Sequence, residues 1–310
     1  MSCPQVSVLV PTHNRASLIG HTLDSVARQT FRDYEVIIID DGSTDGTGEV
    51  VRQRPEPLRY LWQEQRGVAA ARNHALAEAR GSLVAFLDSD DLWLPEFLDE
   101  STAALRARPD ATLGYTDSRT IDGQGRILPG HRKPQHGGLV VAPLFASIFI
   151  HTSCVVARRD VIRQAGGFDE GLEANEDYDL WLRLSLHHPF VSLSKPLCYR
   201  RSHRGSLSRN GSVRNLIRKA RLLEEFYDKH GDGIIPPGLA HRRLAKTYYT
   251  AGKAIARRRD YTQSADLLGR SIAHAPSAKA WPWYVLSLAL RGTPVDRGRG
   301  NGELLEELSS

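Results

Sequence analysis

Ser82-Leu83-Val84-Ala85-Phe86-Leu87-Asp88-Ser89-Asp90-Asp91 joins a mostly apolar run to three carboxylates. The apolar run reads as a buried strand, and the acidic residues fall where that strand meets a loop. In an open α/β sheet, ligands bind just outside the carboxyl ends of the strands. Clustered carboxylates repel one another and are costly to desolvate. A divalent cation relieves both problems. Hard oxygen donors suit Mg2+ or Mn2+, which then reach substrate phosphates. The Asp-x-Asp of Asp88 and Asp90 therefore suggests a nucleotide-diphosphate site. On these residues alone a second reading stays open, a solvated turn in which Asp91 caps a helix close to Leu92-Trp93-Leu94-Pro95.

Working outward, the same strand-then-loop grammar repeats. Val6-Ser7-Val8-Leu9-Val10 is a continuous apolar run broken by Pro11-Thr12-His13-Asn14-Arg15. Ala16 to Arg28 then has helical spacing through Leu18, Ile19, Leu23 and Val26. Tyr34-Glu35-Val36-Ile37-Ile38-Ile39 is a second buried strand, closed by Asp40-Asp41-Gly42-Ser43-Thr44-Asp45. Leu58 to Trp62 reads as a third strand and the Ala-rich stretch from Gly67 to Arg80 as a helix. Strands alternating with helices predict a mostly parallel, Rossmann-like α/β sheet with helices on both faces. Right-handed crossovers place the strand-to-helix loops at one edge. Pro11, Thr12 and Asn14, then Asp41, then Asp88, Ser89 and Asp90 are thus expected to share one cleft.

The character changes near Asn210. Val213 to Tyr227 is a charged amphipathic helix, and three further helical stretches follow at Leu239–Ala256, Tyr261–His274 and Ala278–Leu290. Small residues at Ala251, Gly252, Ala265 and Ala275, with Pro276, make this region weakly tetratricopeptide-like. The expected organisation is a nucleotide-binding domain over residues 1–208 and a C-terminal α-helical appendage over 209–310. The Gly-rich, charged tail from Arg291 is expected to be disordered.

The 310 residues are 41% hydrophobic and carry a net charge of +5, which permits one large domain or two of moderate size. The mild basic excess fits a polyanionic small molecule. No basic run with interleaved aromatics points to nucleic acid. Cys3, Cys154 and Cys198 are far apart without metal-type spacing, and the N-terminus shows no secretory pattern, so the expectation is a cytoplasmic protein. The basic helix at Arg214–Arg221 and the Trp281/Trp283 segment leave peripheral contact at the inner face of a membrane open, beside simple packing of the appendage.

Several side chains carry candidate chemistry. Asp41 suits a base N–H or a ribose hydroxyl, although Asp and Gly also end strands as plain turn formers. Arg72, near a helix N-terminus, suits a diphosphate. Glu176-Asp177 opens an amphipathic helix, where the dipole alone favours acids, yet a transferase also needs a carboxylate base there. Tyr178 and Trp181 offer either an aromatic wall for a sugar or core packing. His203, within Tyr199-Arg200-Arg201-Ser202-His203-Arg204, can complete a carboxylate metal site, and its arginines can neutralise a leaving diphosphate.

Taken in order, these stretches resemble a family-2, GT-A-type glycosyltransferase. The resemblance rests on Val6 to Arg15, Ile39 to Asp45, Gly67-Val68-Ala69-Ala70-Ala71-Arg72-Asn73, Phe86 to Asp91, Gly167-Phe168-Asp169-Glu170, Glu176 to Arg183 and Tyr199 to His203, within about residues 5–208. It implies a nucleoside-diphosphate-sugar donor, with a UDP-sugar favoured, a divalent metal, and inversion at the anomeric carbon. It further implies Asp41 as the base-recognising acid, Asp88 and Asp90 as the Asp-x-Asp, and Asp177 as catalytic base. His203 corresponds to a metal-contacting His of some members. The acceptor expected is a glycan, a lipid-linked or a small-molecule hydroxyl. The alternatives are a nucleotidyltransferase, which would carry a Gly-rich first loop that Pro11–Arg15 lacks, and a non-catalytic nucleotide-sugar-binding module.

Overall fold

The structure, a computed structural model, describes residues 3–54, 58–130, 134–203, 213–293 and 295–296. The chain divides into two compact units, Met1–Arg209 and Asn210–Ser310. In the first unit the order is β1 (Val6–Thr12), α1 (Ile19–Ala27), β2 (Tyr34–Asp41), α2 (Thr47–Arg52), β3 (Leu58–Gln63), α3 (Val68–Glu78), β4 (Leu83–Phe86), β5 (Leu92–Trp93), α4 (Phe97–Ala107), β6 (Leu113–Ile121), α5 (Val141–Ala146), β7 (Val155–Arg158), α6 (Arg159–Gln164), α7 (Glu176–Ser185) and β8 (Phe190–Arg201). A single 3-10 turn, Thr152–Cys154, leads into β7.

The strands form one eight-stranded sheet in the order β3-β2-β1-β4-β7-β6-β8-β5. β3, β2, β1 and β4 run parallel, as their apolar runs predict. Alternation along β1 sends Val6, Val8 and Val10 into a core shared with Ile19, Leu23 and Val26 of α1 and Phe97, Leu98 and Leu105 of α4. Leu9, Ile37 and Ile39 point the other way and are also fully buried, and α3 packs on β1 and β2. Burial of both faces explains why these strands read as unbroken apolar runs.

The far half of the sheet departs from the expected pattern. β7 runs antiparallel to both β4 and β6. β8 pairs parallel to β6, with register shifts around Asp117. Its sequence, with Ser192, Ser194, Lys195 and Pro196, lacks the alternation that marks a strand. Pro196 sits opposite Asp117, at that irregularity, where a missing backbone donor is tolerated. The helix expected directly after Asp91 is not there. Leu92-Trp93 forms β5 against β8, and α4 begins only at Phe97 behind Glu96.

The second unit comprises α8 (Val213–His230), α9 (Pro237–Ala256), α10 (Tyr261–His274) and α11 (Trp281–Leu290). Gly252 of α9 lets α10 approach closely, because a Cβ there would lie 2.7 Å from Leu268 Cγ. Order extends past Arg291, the expected start of disorder: Asp296 accepts hydrogen bonds from Tyr261 N and Thr262 Oγ1. Residues 297–310 lie outside the described residues. Among those described, no helix is long and apolar enough to cross a membrane.

Gly81 marks the tightest backbone approach in the sheet. A Cβ there would sit 2.6 Å from Ser7 N and 2.8 Å from Leu83 O. These are backbone atoms of β1 and β4, which cannot swing aside. Gly81→Ala is therefore expected to destabilise the first unit by about 1–3 kcal/mol, read as a lower midpoint in chemical denaturation. An unchanged midpoint would show that the strands absorb the methyl.

Candidate active site

The carboxyl end of β4 delivers the acidic stretch as the sequence suggests, but its carboxylates part company. Asp88 Oδ1 accepts from Arg72 Nη2 at 2.7 Å. The same guanidinium reaches Glu176 Oε1 through Nη1 at 2.5 Å. Arg72 is itself buried and lies over the Phe168 ring at 5.3 Å. Burial alone would lower its pKa, but the charges of Asp88, Glu176 and Asp177 outweigh that and hold it above its ordinary value. Burial raises the Glu176 pKa, against the pull of Arg72. Arg72, expected to meet a diphosphate, instead ties the strand end to the first turn of α7.

Asp90 takes a different set of neighbours. Its Oδ2 lies 2.9 Å from His203 Nε2 and 3.7 Å from Arg15 Nε. Asp90 and His203 meet because β5, just after Asp91, pairs with β8, just before Ser202. Asp88 does not join them, because Arg72 holds its carboxylate the other way. Among the described residues no three His, Cys, Asp or Glu side chains cluster as a ready metal cage.

Asp91 is no helix cap. It is buried, and it accepts hydrogen bonds from Ser153 Oγ at 2.6 Å and from Arg201 N at 2.8 Å. Ser153 Oγ also accepts from Asp88 N at 3.1 Å. Burial, and then the charges of Asp90 and Asp88, push the Asp91 pKa up to about 8. Arg201 adds a bond from Nε to Asp90 O at 3.0 Å. Arg200 turns to His151 Nε2 at 3.0 Å. Arg204 lies outside the described residues.

Asp177 stands in the first turn of α7, behind Asn175 at φ 66°. Its Oδ2 accepts from Thr152 Oγ1 at 2.8 Å and its Oδ1 from Tyr178 N at 2.7 Å. Tyr178 and Trp181 are core residues, not a sugar-binding wall. The Tyr178 hydroxyl donates to Leu144 O, and Trp181 packs edge-on against Phe86 and Phe168.

At the β1 and β2 ends, Asp41 is buried and heavily engaged. Oδ1 accepts from Gln63 Nε2 and Arg66 N, and Oδ2 from Gly67 N, at 2.7–2.9 Å. The carboxylate organises the loop before α3, with about one of its four lone-pair sites to spare. His13 Nδ1 donates to Asp41 O at 2.8 Å. Asn14, at φ 52°, accepts from Thr44 N through Oδ1 and donates its backbone N–H to Ser43 Oγ. Pro11 is buried within β1 and Ser89 beside Asp88. Thr12 Oγ1 is buried without a hydrogen-bond partner among the described residues.

His151, Thr152 and Ser153 were not legible as site residues. Because β7 runs antiparallel to β4, the residues entering β7 lie where β4 ends. The one available signal was a polar stretch, His151-Thr152-Ser153, just before the apolar run Cys154–Ala157.

The profile of glycosyl transferase family 2 matches residues 7–166. With a GT-A sheet carrying acidic residues at its carboxyl edge, the chain belongs to glycosyl transferase family 2. It is similar to the chondroitin synthase of Escherichia coli, at 31% identity over 69% of this chain and 30% of that protein. It is likewise similar to the hyaluronan synthase of Pasteurella multocida, at 32% identity over 69% of this chain and 22% of that one. The chain therefore spans less than a third of these relatives. In fold it is similar to S. aureus TarS 1–349, in complex with UDP-GlcNAc, with a TM-score of 0.66 and 21% identity over 98% of this chain and 92% of that one. The mannosyltransferase PcManGT of Pyrobaculum calidifontis, in complex with GDP-Man and Mn2+, matches with a TM-score of 0.58 and 23% identity, over 100% and 86% of the two chains.

The buried Asp91 has a pH signature. A carboxyl whose folded pKa is raised gives stability that is present below the unfolded pKa and lost as pH rises through the folded one. That window runs from the ordinary value of 3.8 to about 8. Asp91→Asn removes the titration, so its melting temperature should gain on the parent protein between pH 5 and pH 8. A difference that stays constant across thermal melts in that range would remove the buried charge as its cause.

Proposed function

We propose that this cleft transfers a sugar from a nucleoside-diphosphate-sugar, with a UDP-sugar favoured, to a hydroxyl of a glycan, lipid-linked or small-molecule acceptor. The observation that carries the reading is the double ion pair of Arg72. It ties the first turn of α7, which carries Asp177, to Asp88 beyond the end of β4, and so supports a reading in which the base and the diphosphate share one cleft. The names of the chondroitin and hyaluronan synthases, and of neighbours bound to UDP-GlcNAc and GDP-Man, support the substrate class.

In a single inverting displacement, Asp177 accepts the proton of the acceptor hydroxyl as that oxygen attacks the anomeric carbon. Thr152 and the Tyr178 amide hold the carboxylate, so little reorganisation accompanies the transfer. The unpartnered Thr12 hydroxyl and the loop of Pro11, Thr12 and Asn14 suit a nucleotide beside Asp41. Asp41 acts there mainly by fixing the loop of Arg66 and Gly67.

A divalent cation, Mn2+ or Mg2+, fits the donor set. Asp90 and His203 face one another with an oxygen and an imidazole nitrogen. Asp88, 38% exposed, keeps its second carboxylate oxygen free of Arg72. Such a cation commonly takes one or two protein carboxylates and completes its shell with substrate phosphates and water. When bound, it supplies charge neutralisation for the departing diphosphate. Arg15, close to Asp90, adds positive charge at the same place.

Asp177→Asn is expected to cut transfer by roughly 10²- to 10⁴-fold while donor affinity in calorimetry stays near that of the parent. Full activity in that variant removes Asp177 as base. Asp90→Ala is expected to abolish the gain in donor affinity that Mn2+ confers. Equal calorimetric affinity with and without Mn2+ in the parent protein would overturn the metal assignment while leaving the transferase reading standing.

A further inference from the structure

Helix α11, Trp281-Pro282-Trp283-Tyr284-Val285-Leu286-Ser287-Leu288-Ala289-Leu290, is built inside out. It has no charged residue, yet its one buried residue is Ser287. The Ser287 hydroxyl is bonded to Ser264 Oγ of α10 at 2.9 Å and to Trp283 O at 2.8 Å. The large side chains face outward: Trp281 is 47% exposed, Val285 57%, Leu286 43% and Leu288 44%. Trp281, Val285 and Leu288 follow the i, i+4, i+7 spacing of one stripe, and Leu286 is exposed about 100° further round the helix. An apolar stripe of this size on the outside of a helical unit marks a contact surface.

Positive charge surrounds the stripe. Lys279 precedes the helix and Arg291 follows it, both exposed. Lys253 Nζ lies 5.6 Å from the centre of the Trp283 ring, on the face of α11 away from the stripe. The exposed Arg257-Arg258-Arg259 turn joins α9 to α10. Asp296, just beyond α11, binds the first residues of α10, so that turn lies at the same end of the unit as the end of α11. Among the described residues the nearby acids are engaged elsewhere: Asp260 caps α10, Asp266 faces Arg270 and Asp296 is buried.

We propose that α11 is an interfacial anchor for an anionic lipid surface. Trp281, Val285, Leu286 and Leu288 enter the boundary between headgroups and acyl chains, and Lys279, Arg257, Arg258, Arg259 and Arg291 meet the headgroups. Charge complementarity selects this occupant. A two-fold contact with a second copy would press two basic rims together. An acidic lipid surface attracts the same rim, and Trp and Tyr favour the boundary where one end is apolar and the other wet. The inference is independent of the transferase reading.

Flotation of the full chain with vesicles tests it. The chain should float with vesicles of phosphatidylcholine and phosphatidylglycerol, remain in solution with phosphatidylcholine alone, and be partly released by high salt. The double variant Leu286→Glu, Leu288→Glu should bind at least about tenfold more weakly. Arg258→Gln should lose roughly fivefold. All three substitutions are at exposed positions, and unchanged melting temperatures would show that the variants fold. Three results overturn the proposal: no binding to acidic vesicles, equal binding by the double variant, or self-association in sedimentation that the double variant abolishes without any vesicle binding.

Discussion

A buried guanidinium holds the site together. Arg72 lies between two carboxylates from distant parts of the chain, Asp88 on the strand end and Glu176 on α7, with Phe168 beneath it. An arginine removed from water is stable only if its charge is matched; here Nη1 and Nη2 meet the two carboxylates, while Nε has no hydrogen-bond partner among the described residues. That requirement makes the three elements interdependent: α3 supplies the cation, β4 one anion and α7 the other. Removing Arg72 would leave the buried carboxylate of Glu176 without its counter-charge. The planar, forked guanidinium can serve two carboxylates in fixed directions, which a lysine ammonium does less well.

Around this bridge the four consecutive residues Asp88 to Asp91 divide their labour. Asp88 is drawn to Arg72 and Asp90 to His203, while Asp91 is pulled inward to Ser153 and the Arg201 amide. Three carboxylates so close in sequence coexist because each has a differently charged or hydrogen-bonding environment. Ser153 is the hinge point of that arrangement, since one hydroxyl donates to Asp91 and accepts from the Asp88 amide.

The parallel half of the fold was legible because physics writes it locally. Strands buried on both faces must be apolar throughout, so Val6–Val10, Val36–Ile39 and Leu83–Phe86 announce themselves. Their shared loop edge then followed from crossover handedness. The antiparallel half was hidden. β8 carries serines, a lysine and Pro196 and tolerates them at a register shift, and β5 is only a two-residue strand. The roles expected for single residues fared unevenly for the same reason. Asp90 could be matched with His203 by motif, but their contact is made by the hidden pairing of β5 with β8. Arg72 and Asp91 are defined by partners such as Glu176 and Ser153, which no local pattern reveals.

The reversed direction of β7 has a broader consequence. β6 and β7 are neighbours, so the long stretch between Ile121 and Val155 leaves the sheet and returns to the adjacent strand. Both its ends are clamped by the same scaffold, and its last residues reach Asp88, Asp91 and Asp177. The entropy of closing such an excursion rises only by about 0.6 kcal/mol per doubling of its length. Insertions and deletions there are expected to leave the strand ladder intact. Related chains can thus vary in this segment, next to Asp88, Asp91 and Asp177, while keeping the strands that hold those carboxylates.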